Sequence, residues 1–139
     1  MAELFFDTAG WGHLVDSSQA FHKRAADLYH RAIRDGQRIV TTNYVIAELV
    51  ALLTQPLEVP RPSLIAFVES LRASRHVEVI HIDPRMDAEA WQLLKEREDK
   101  EWSLVDCASF VVMTGRRITE ALTTDHHFVQ AGFVALLRE

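Results

Sequence analysis

Short apolar runs of strand length alternate along this chain with segments whose apolar positions recur at helical spacing. Leu4–Phe6, Arg38–Thr41, His76–Ile82, Ile118–Thr123 and Phe133–Leu137 read as five strands. Ser17 or Ser18 is placed to cap a helix running to about Asp35, with Gly36 as its stop. Thr42 or Asn43 caps a helix to about Thr54, and Pro62 suits the first turn of one ending near Ser74. Asp83-Pro84 is an N-cap followed by proline at N1, opening a helix to about Arg97. Ser103 starts a further helix to about Thr114, with Gly115 near its end. Strands alternating with helices in this way predict an α/β fold with a mainly parallel sheet. No linker, repeat or low-complexity segment divides the chain, so a single domain over 1–139 is expected.

Four acids break the apolar pattern, each alone in its stretch. Asp7 is the only formally charged residue between Glu3 and Asp16, and Glu48 the only one between Arg38 and Glu58. Asp106 stands alone between Glu101 and Arg116, and Asp125 between Glu120 and Arg138. A carboxylate in a segment destined for the interior is costly unless something compensates it, and no basic residue is near in sequence. Asp7 and Asp125 fall just past the carboxyl ends of predicted strands, the edge where open α/β sheets bind ligands. Glu48 falls in the second turn of its helix and Asp106 in the first turn of its own. Convergence of the four on a divalent cation is the economical explanation.

Each acid also has a plainer reading. Asp7 can cap the next helix. Ser103-Leu104-Val105-Asp106 fits a capping box in its acidic form, which also suits the helix dipole. Asp125 can be a turn former. Glu48 has the weakest alternative, because its helical neighbours Tyr44, Ala51 and Gln55 carry no charge, unlike an ordinary solvated face. Four acids sharing the same isolation favour the common site. An all-carboxylate site favours Mg²⁺ or Mn²⁺ over zinc. His126 and His127 are set aside as ligands, since adjacent residues on a turn usually point apart. Asp99, in Arg97-Glu98-Asp99-Lys100-Glu101, reads as a solvated acid or an outer ligand. The three tryptophans, Trp11, Trp91 and Trp102, read as core, with Trp11 closest to the proposed site.

Composition adds boundaries. Of 139 residues, 48% are apolar and 25% charged, as in ordinary globular proteins. The single cysteine, Cys107, excludes an internal disulfide framework and a cysteine-rich zinc site. No apolar run reaches the ~18 residues of a membrane span. The start lacks a basic region of the secretory type, so a cytoplasmic location and no membrane partner are expected. A net charge of −5 does not advertise nucleic-acid binding, but clustered carboxylates account for most of it.

The four acids lie in motifs that resemble those of PIN-domain ribonucleases, in particular VapC-type toxins. Leu4-Phe5-Phe6-Asp7-Thr8 is similar to the family's first strand ending in Asp-Thr or Asp-Ser. Thr42-Asn43-Tyr44-Val45-Ile46-Ala47-Glu48-Leu49 is similar to its helix bearing an inward Glu. Ser103-Leu104-Val105-Asp106, with Asp99-Lys100-Glu101-Trp102 upstream, looks like its Ser-Leu-x-Asp helix start. Ala121-Leu122-Thr123-Thr124-Asp125-His126-His127-Phe128 is the most specific match.

The resemblance implies a PIN-like three-layer α/β/α sandwich with four or five strands. It implies an acidic metal site of Asp7, Glu48, Asp106 and Asp125, supported by Thr8 and Thr123, with Asp99 as a further candidate. Metal-dependent endoribonuclease activity with Mg²⁺ or Mn²⁺ follows from it. Partners expected from it are RNA, a small antitoxin protein and a second copy of the chain. Lys23, Arg24, Arg61, Lys100, Arg116 and Arg117 are the basic residues available to meet RNA phosphates. A different class is a non-catalytic RNA- or protein-binding module with remnant acids. A haloacid-dehalogenase-type phosphatase wants an Asp two residues after Asp7, where Ala9 stands, and a receiver domain wants adjacent acids and a later Lys.

Overall fold

A computed structural model of the chain describes residues 2–138. The strands are β1 (Leu4–Phe6), β2 (Ile39–Thr42), β3 (Val77–Ile80), β4 (Glu120–Leu122) and β5 (Val134–Ala135). The helices are α1 (Thr8–Val15), α2 (His22–Arg34), α3 (Asn43–Thr54), α4 (Arg61–Ala73), α5 (Pro84–Glu96), α6 (Leu104–Arg116) and α7 (His126–Gln130). All strand pairs are parallel, in the order β3-β2-β1-β4-β5.

The order decides where a site can form. The chain steps from β1 to β2 to β3 in one direction, then crosses back to β4 on the other side of β1. Right-handed crossovers put α1 to α4 on one face and α5 to α7 on the other, in keeping with the contacts among α1, α2, α3 and α4 and between α5, α6 and α7. The topological switch point lies between β1 and β4, whose registers pair Phe5 with Ala121 and Phe6 with Leu122. α3 and α6 also touch, bringing the Glu48 helix to the Asp106 helix.

Every residue of β1 and β2 is buried, which is why they read as continuous apolar runs. Phe5, Phe6, Trp11, Leu49, Leu122 and Phe128 are fully buried core. Each contributes about 1.5–3 kcal/mol by removal from water. Trp11 also donates its indole N–H to Thr41 Oγ1 at 3.2 Å, and that hydroxyl donates to the Phe6 carbonyl at 2.9 Å. Trp102 is core as well, but Trp91 is 46% exposed, contrary to the expectation for it. It sits on α5, which has only Ala90 fully buried.

The helix starts follow the caps read in the sequence at three places. Thr42 accepts from the Val45 N–H, Asp83 from the Met86 N–H, and Ser103 from the Asp106 N–H. The second helix differs: it begins at His22, not at Ser17 or Ser18. Ser18 instead gives both its hydroxyl and its amide to Asp16 Oδ1, closing a turn. α1 and α7, absent from the sequence reading, flank the site on either side of β4. Strands β3, β4 and β5 are shorter than expected, although single backbone bonds such as Ile39 N–H to the His76 carbonyl and Leu137 N–H to the Thr123 carbonyl continue past their ends.

Gly10 is fixed by proximity. A Cβ there would lie 2.0 Å from the Leu122 carbonyl oxygen. α1 therefore rests directly on the end of β4. Gly10→Ala is expected to cost at least ~3 kcal/mol, because backbone must move on one side. Urea denaturation checks this; an unshifted midpoint would show that α1 lifts off β4 freely.

Candidate active site

Asp7 leaves the carboxyl end of β1 and stands at the N-cap of α1. Its side chain makes no cap hydrogen bond, so helix capping does not account for this acid. Oδ2 accepts from the Thr123 hydroxyl at 3.1 Å. Oδ1 and the adjacent Thr8 Oγ1 are buried with no hydrogen-bond partner among the described residues. Burial pushes the Asp7 carboxyl up to about 7; the Thr8 amide beside it opposes the rise, the Asp106 charge adds to it, the Thr123 hydroxyl opposes it and the Glu48 charge adds to it.

Thr123 follows β4 and links two acids with one hydroxyl. While donating to Asp7 it accepts the Asp125 N–H at 2.9 Å. Asp125 caps α7, its Oδ1 accepting the His127 N–H at 2.9 Å. Asp106 sits in the first turn of α6 within a reciprocal capping box: Oδ2 accepts the Ser103 N–H at 3.0 Å. Burial raises the Asp106 carboxyl; the Ser103 amide opposes this, the Asp125 charge adds to it, and His127 opposes it. Capping thus uses one oxygen of Asp106 and does not explain its burial. Glu48, half-buried in the second turn of α3, is close enough for its charge to be felt at Asp7.

His127 closes the ring of contacts. Its Nδ1 lies 2.9 Å from Asp106 Oδ2 and 3.3 Å from Asp125 Oδ1. The His126 and His127 rings lie together, centroids 4.5 Å apart and tilted by 52°. The expectation that the two point apart is therefore corrected. They open a helix, where neighbours are about 100° apart, rather than straddling an extended turn. α7 is only five residues long and follows a strand directly, too little periodicity to be read from sequence.

Asp99 is held by an arginine rather than by the other acids. It is exposed, with both oxygens in the Arg97 fork at 2.9 and 3.0 Å, which draws its carboxyl down to about 2. Among the basic candidates, Arg116 is spent on Glu3 and Glu78, some 15 Å along α6 from Asp106. Lys100 pairs with Asp99. Arg24, however, donates to the Leu136 carbonyl, next to the segment that follows Asp125. Arg138, which the sequence did not single out, donates to the Thr124 carbonyl at 3.1 Å, one residue from Asp125. A surface cavity of about 560 Å³ lies along β3, α5 and α6 and contains none of the four acids.

The arrangement offers a buried carboxylate with an unsatisfied oxygen, joined by hydroxyl, amide and imidazole contacts to two more carboxylates, at the switch point of a parallel sheet. Comparison with known proteins matches residues 4–134 to the PIN domain. The 23S rRNA-specific endonuclease VapC20 of Mycobacterium tuberculosis is 31% identical over 136 residues, spanning 98% of this chain and 99% of that one. The crystal structure of VapC20, described as a sarcin-ricin loop cleaving toxin, matches with a TM-score of 0.83 at 30% identity, over 95% of this chain and 97% of that one. FitAcB from Neisseria gonorrhoeae shares the fold at 16% identity and a TM-score of 0.64, over 95% of this chain and 94% of that one. PAE2754 from Pyrobaculum aerophilum does so at 15% identity and 0.65, over 97% of this chain and 90% of that one. Matched over nearly its whole length, the chain belongs to the PIN-domain family, in the VapC-type branch of endoribonuclease toxins.

Proposed function

We propose that this chain hydrolyses RNA phosphodiester bonds at a Mg²⁺ or Mn²⁺ centre held by Asp7, Glu48, Asp106 and Asp125, as the toxin of a toxin–antitoxin pair. The observation that carries the reading is Asp7 Oδ1. A carboxylate oxygen that is fully buried and unpartnered is rare and costly unless a cation or water satisfies it. The donor set fits a hard divalent ion, being all oxygen in its acidic part. Such an ion supplies a bound water of lowered pKa and positive charge at the phosphate. Asp7 and Asp106 hold the centre from β1 and α6. Thr123 fixes one Asp7 oxygen through its hydroxyl, and Glu48, half-buried on α3, would help hold the ion or take the proton of the water it activates.

The named relative acts on 23S rRNA, and we assign a structured ribosomal RNA as the substrate class here. The phosphate-binding rim is built by Arg138, Arg24 and Lys23. A surface trough of about 400 Å³ runs between Phe21, Thr124, Leu137 and Arg138. Phe21 also lines the neighbouring depression with Lys23, Arg24 and Arg31, where Asp27 is the one acid. Arg24 and Arg138 each spend an N–H on a backbone carbonyl and keep the remaining donors for phosphate. A small antitoxin protein and a second copy of the chain are the proposed protein partners.

Purified chain incubated with a panel of structured RNAs, with Mn²⁺ or with EDTA, tests the function. Cleavage that needs the metal is expected. Metal binding without cleavage of any RNA would instead favour a binding module. The rim has its own test: Arg24→Ala with Arg138→Ala should raise KM at least about tenfold at 150 mM salt and flatten the salt dependence by a slope of about 1.5. An unchanged slope would place the RNA elsewhere.

A further inference from the structure

The histidine pair changes the chemistry of the centre. His127 Nδ1 is 2.9 Å from Asp106 Oδ2 and 3.3 Å from Asp125 Oδ1, and His126 Nδ1 is 3.8 Å from that same Asp125 oxygen. Donor atoms of Asp125, His126 and His127 all lie within 4.8 Å of one another. Metal–ligand bonds of about 2.0–2.2 Å set donor-to-donor edges of roughly 3–3.6 Å around a four- or six-coordinate ion. The observed spacings bracket that range. A single Nδ1 N–H makes one full hydrogen bond, to Asp106 at 2.9 Å, and leaves Asp125 at 3.3 Å only a longer, shared one, whereas an ion between the three would draw on all of them. The unpartnered, buried Asp7 Oδ1 is tied to the same cluster through Thr123 and independently calls for a cation.

We propose that His127, with His126 beside it, is a nitrogen ligand of the centre, and that the resulting mixed set selects a first-row transition ion over Mg²⁺. The proposal rests on the carboxylate centre described above and adds to it the identity of the preferred ion. Imidazole contributes little to Mg²⁺, which holds oxygen and water. Affinity for a nitrogen-containing site rises from Mn²⁺ to Ni²⁺. His127 is the stronger ligand, with its side chain 18% exposed against 56% for His126.

Titration calorimetry with MgCl₂, MnCl₂ and NiCl₂ tests this on the wild-type chain, on His126→Ala/His127→Asn, and on Asp106→Asn. Asparagine at position 127 retains an N–H for Asp106 but is a poor metal ligand. Ni²⁺ is expected to bind the wild type at least 100-fold more tightly than Mg²⁺. The double variant should lose at least 30-fold for Ni²⁺ and change less than twofold for Mg²⁺. Equal Ni²⁺ affinity in wild type and double variant, with Mg²⁺ binding retained, overturns the proposal and leaves the carboxylate centre standing. Ni²⁺ binding that survives Asp106→Asn in full also overturns it, by showing an exposed histidine pair outside the centre. Failure of all three ions to bind the wild type removes the carboxylate centre itself, and the proposal with it.

Discussion

Asp106→Asn is expected to lower RNA cleavage a hundred- to thousandfold while the chain stays folded. The capping box supplies the reason for the second half. Ser103 N–H needs an oxygen acceptor from residue 106, and the Asn carbonyl provides one at the same place. The Ser103 hydroxyl still caps the 106 amide. What disappears is the negative charge. A metal centre contributes several kcal/mol of charge stabilisation to phosphoryl chemistry, and loss of about 3–4 kcal/mol corresponds to the stated rate. The measurement is the single-turnover rate on a cleavable RNA at saturating Mn²⁺, alongside far-UV circular dichroism. A variant that cleaves within a few fold of wild type would show that Asp106 is only a helix cap. An unfolded variant would show the same by another route.

Asp7→Asn should do something less usual for a buried polar substitution: it should stabilise the metal-free protein at pH 8. The folded Asp7 carboxyl has been pushed from its ordinary 3.8 up to about 7. Well below pH 4 it is protonated in both states and costs nothing extra. As pH rises from 4 towards 7, the unfolded chain ionises freely while the folded chain keeps its proton, so folding stability falls. Above 7 the full penalty is present, on the order of 4 kcal/mol. The raised Asp106 carboxyl acts in the same sense. Asparagine removes the charge and most of this slope. With EDTA at pH 8 its melting temperature should exceed wild type by about 5–10 °C, converging at pH 4. Added Mn²⁺ should stabilise wild type and leave Asp7→Asn unmoved. Thermal melts at the two pH values, with and without Mn²⁺, decide it. A variant less stable than wild type at pH 8 would mean that the Asp7 charge already has its full compensation within the protein.

Much of this was readable before any coordinates. The isolation of Asp7 and Asp106 in the sequence matches their burial in the fold, because charge in an apolar run is expensive wherever the run ends up, so the cost marks the position. The caps Thr42, Asp83 and Ser103 were readable because capping is local, set within three residues. Asp7 and Asp125 were placed at strand ends for the same reason. His127 and Arg138 were not readable. His127 meets Asp106 across 21 residues, and Arg138 meets Thr124 across 14 through a carbonyl that carries no sequence signal. α1 was hidden because Gly10 and Gly12 weaken its helical pattern, and α7 because five residues are too few to show a period.

The sequence by itself determined the α/β class and the family, and it singled out the four acids as candidates, since each depends on neighbours along the chain or on motif order. Tertiary structure decided the rest. Strand order put the ends of β1 and β4 side by side, so that one threonine hydroxyl joins the Asp7 carboxylate to the Asp125 backbone amide. The same fold committed Arg116 to Glu3 and Glu78, and set Arg24 on the Leu136 carbonyl and Arg138 on the Thr124 carbonyl, one residue from Asp125. Electrostatics and coordination fall off over a few ångströms, whereas these partners are separated by up to 116 residues of chain, and only the folded path sets that distance.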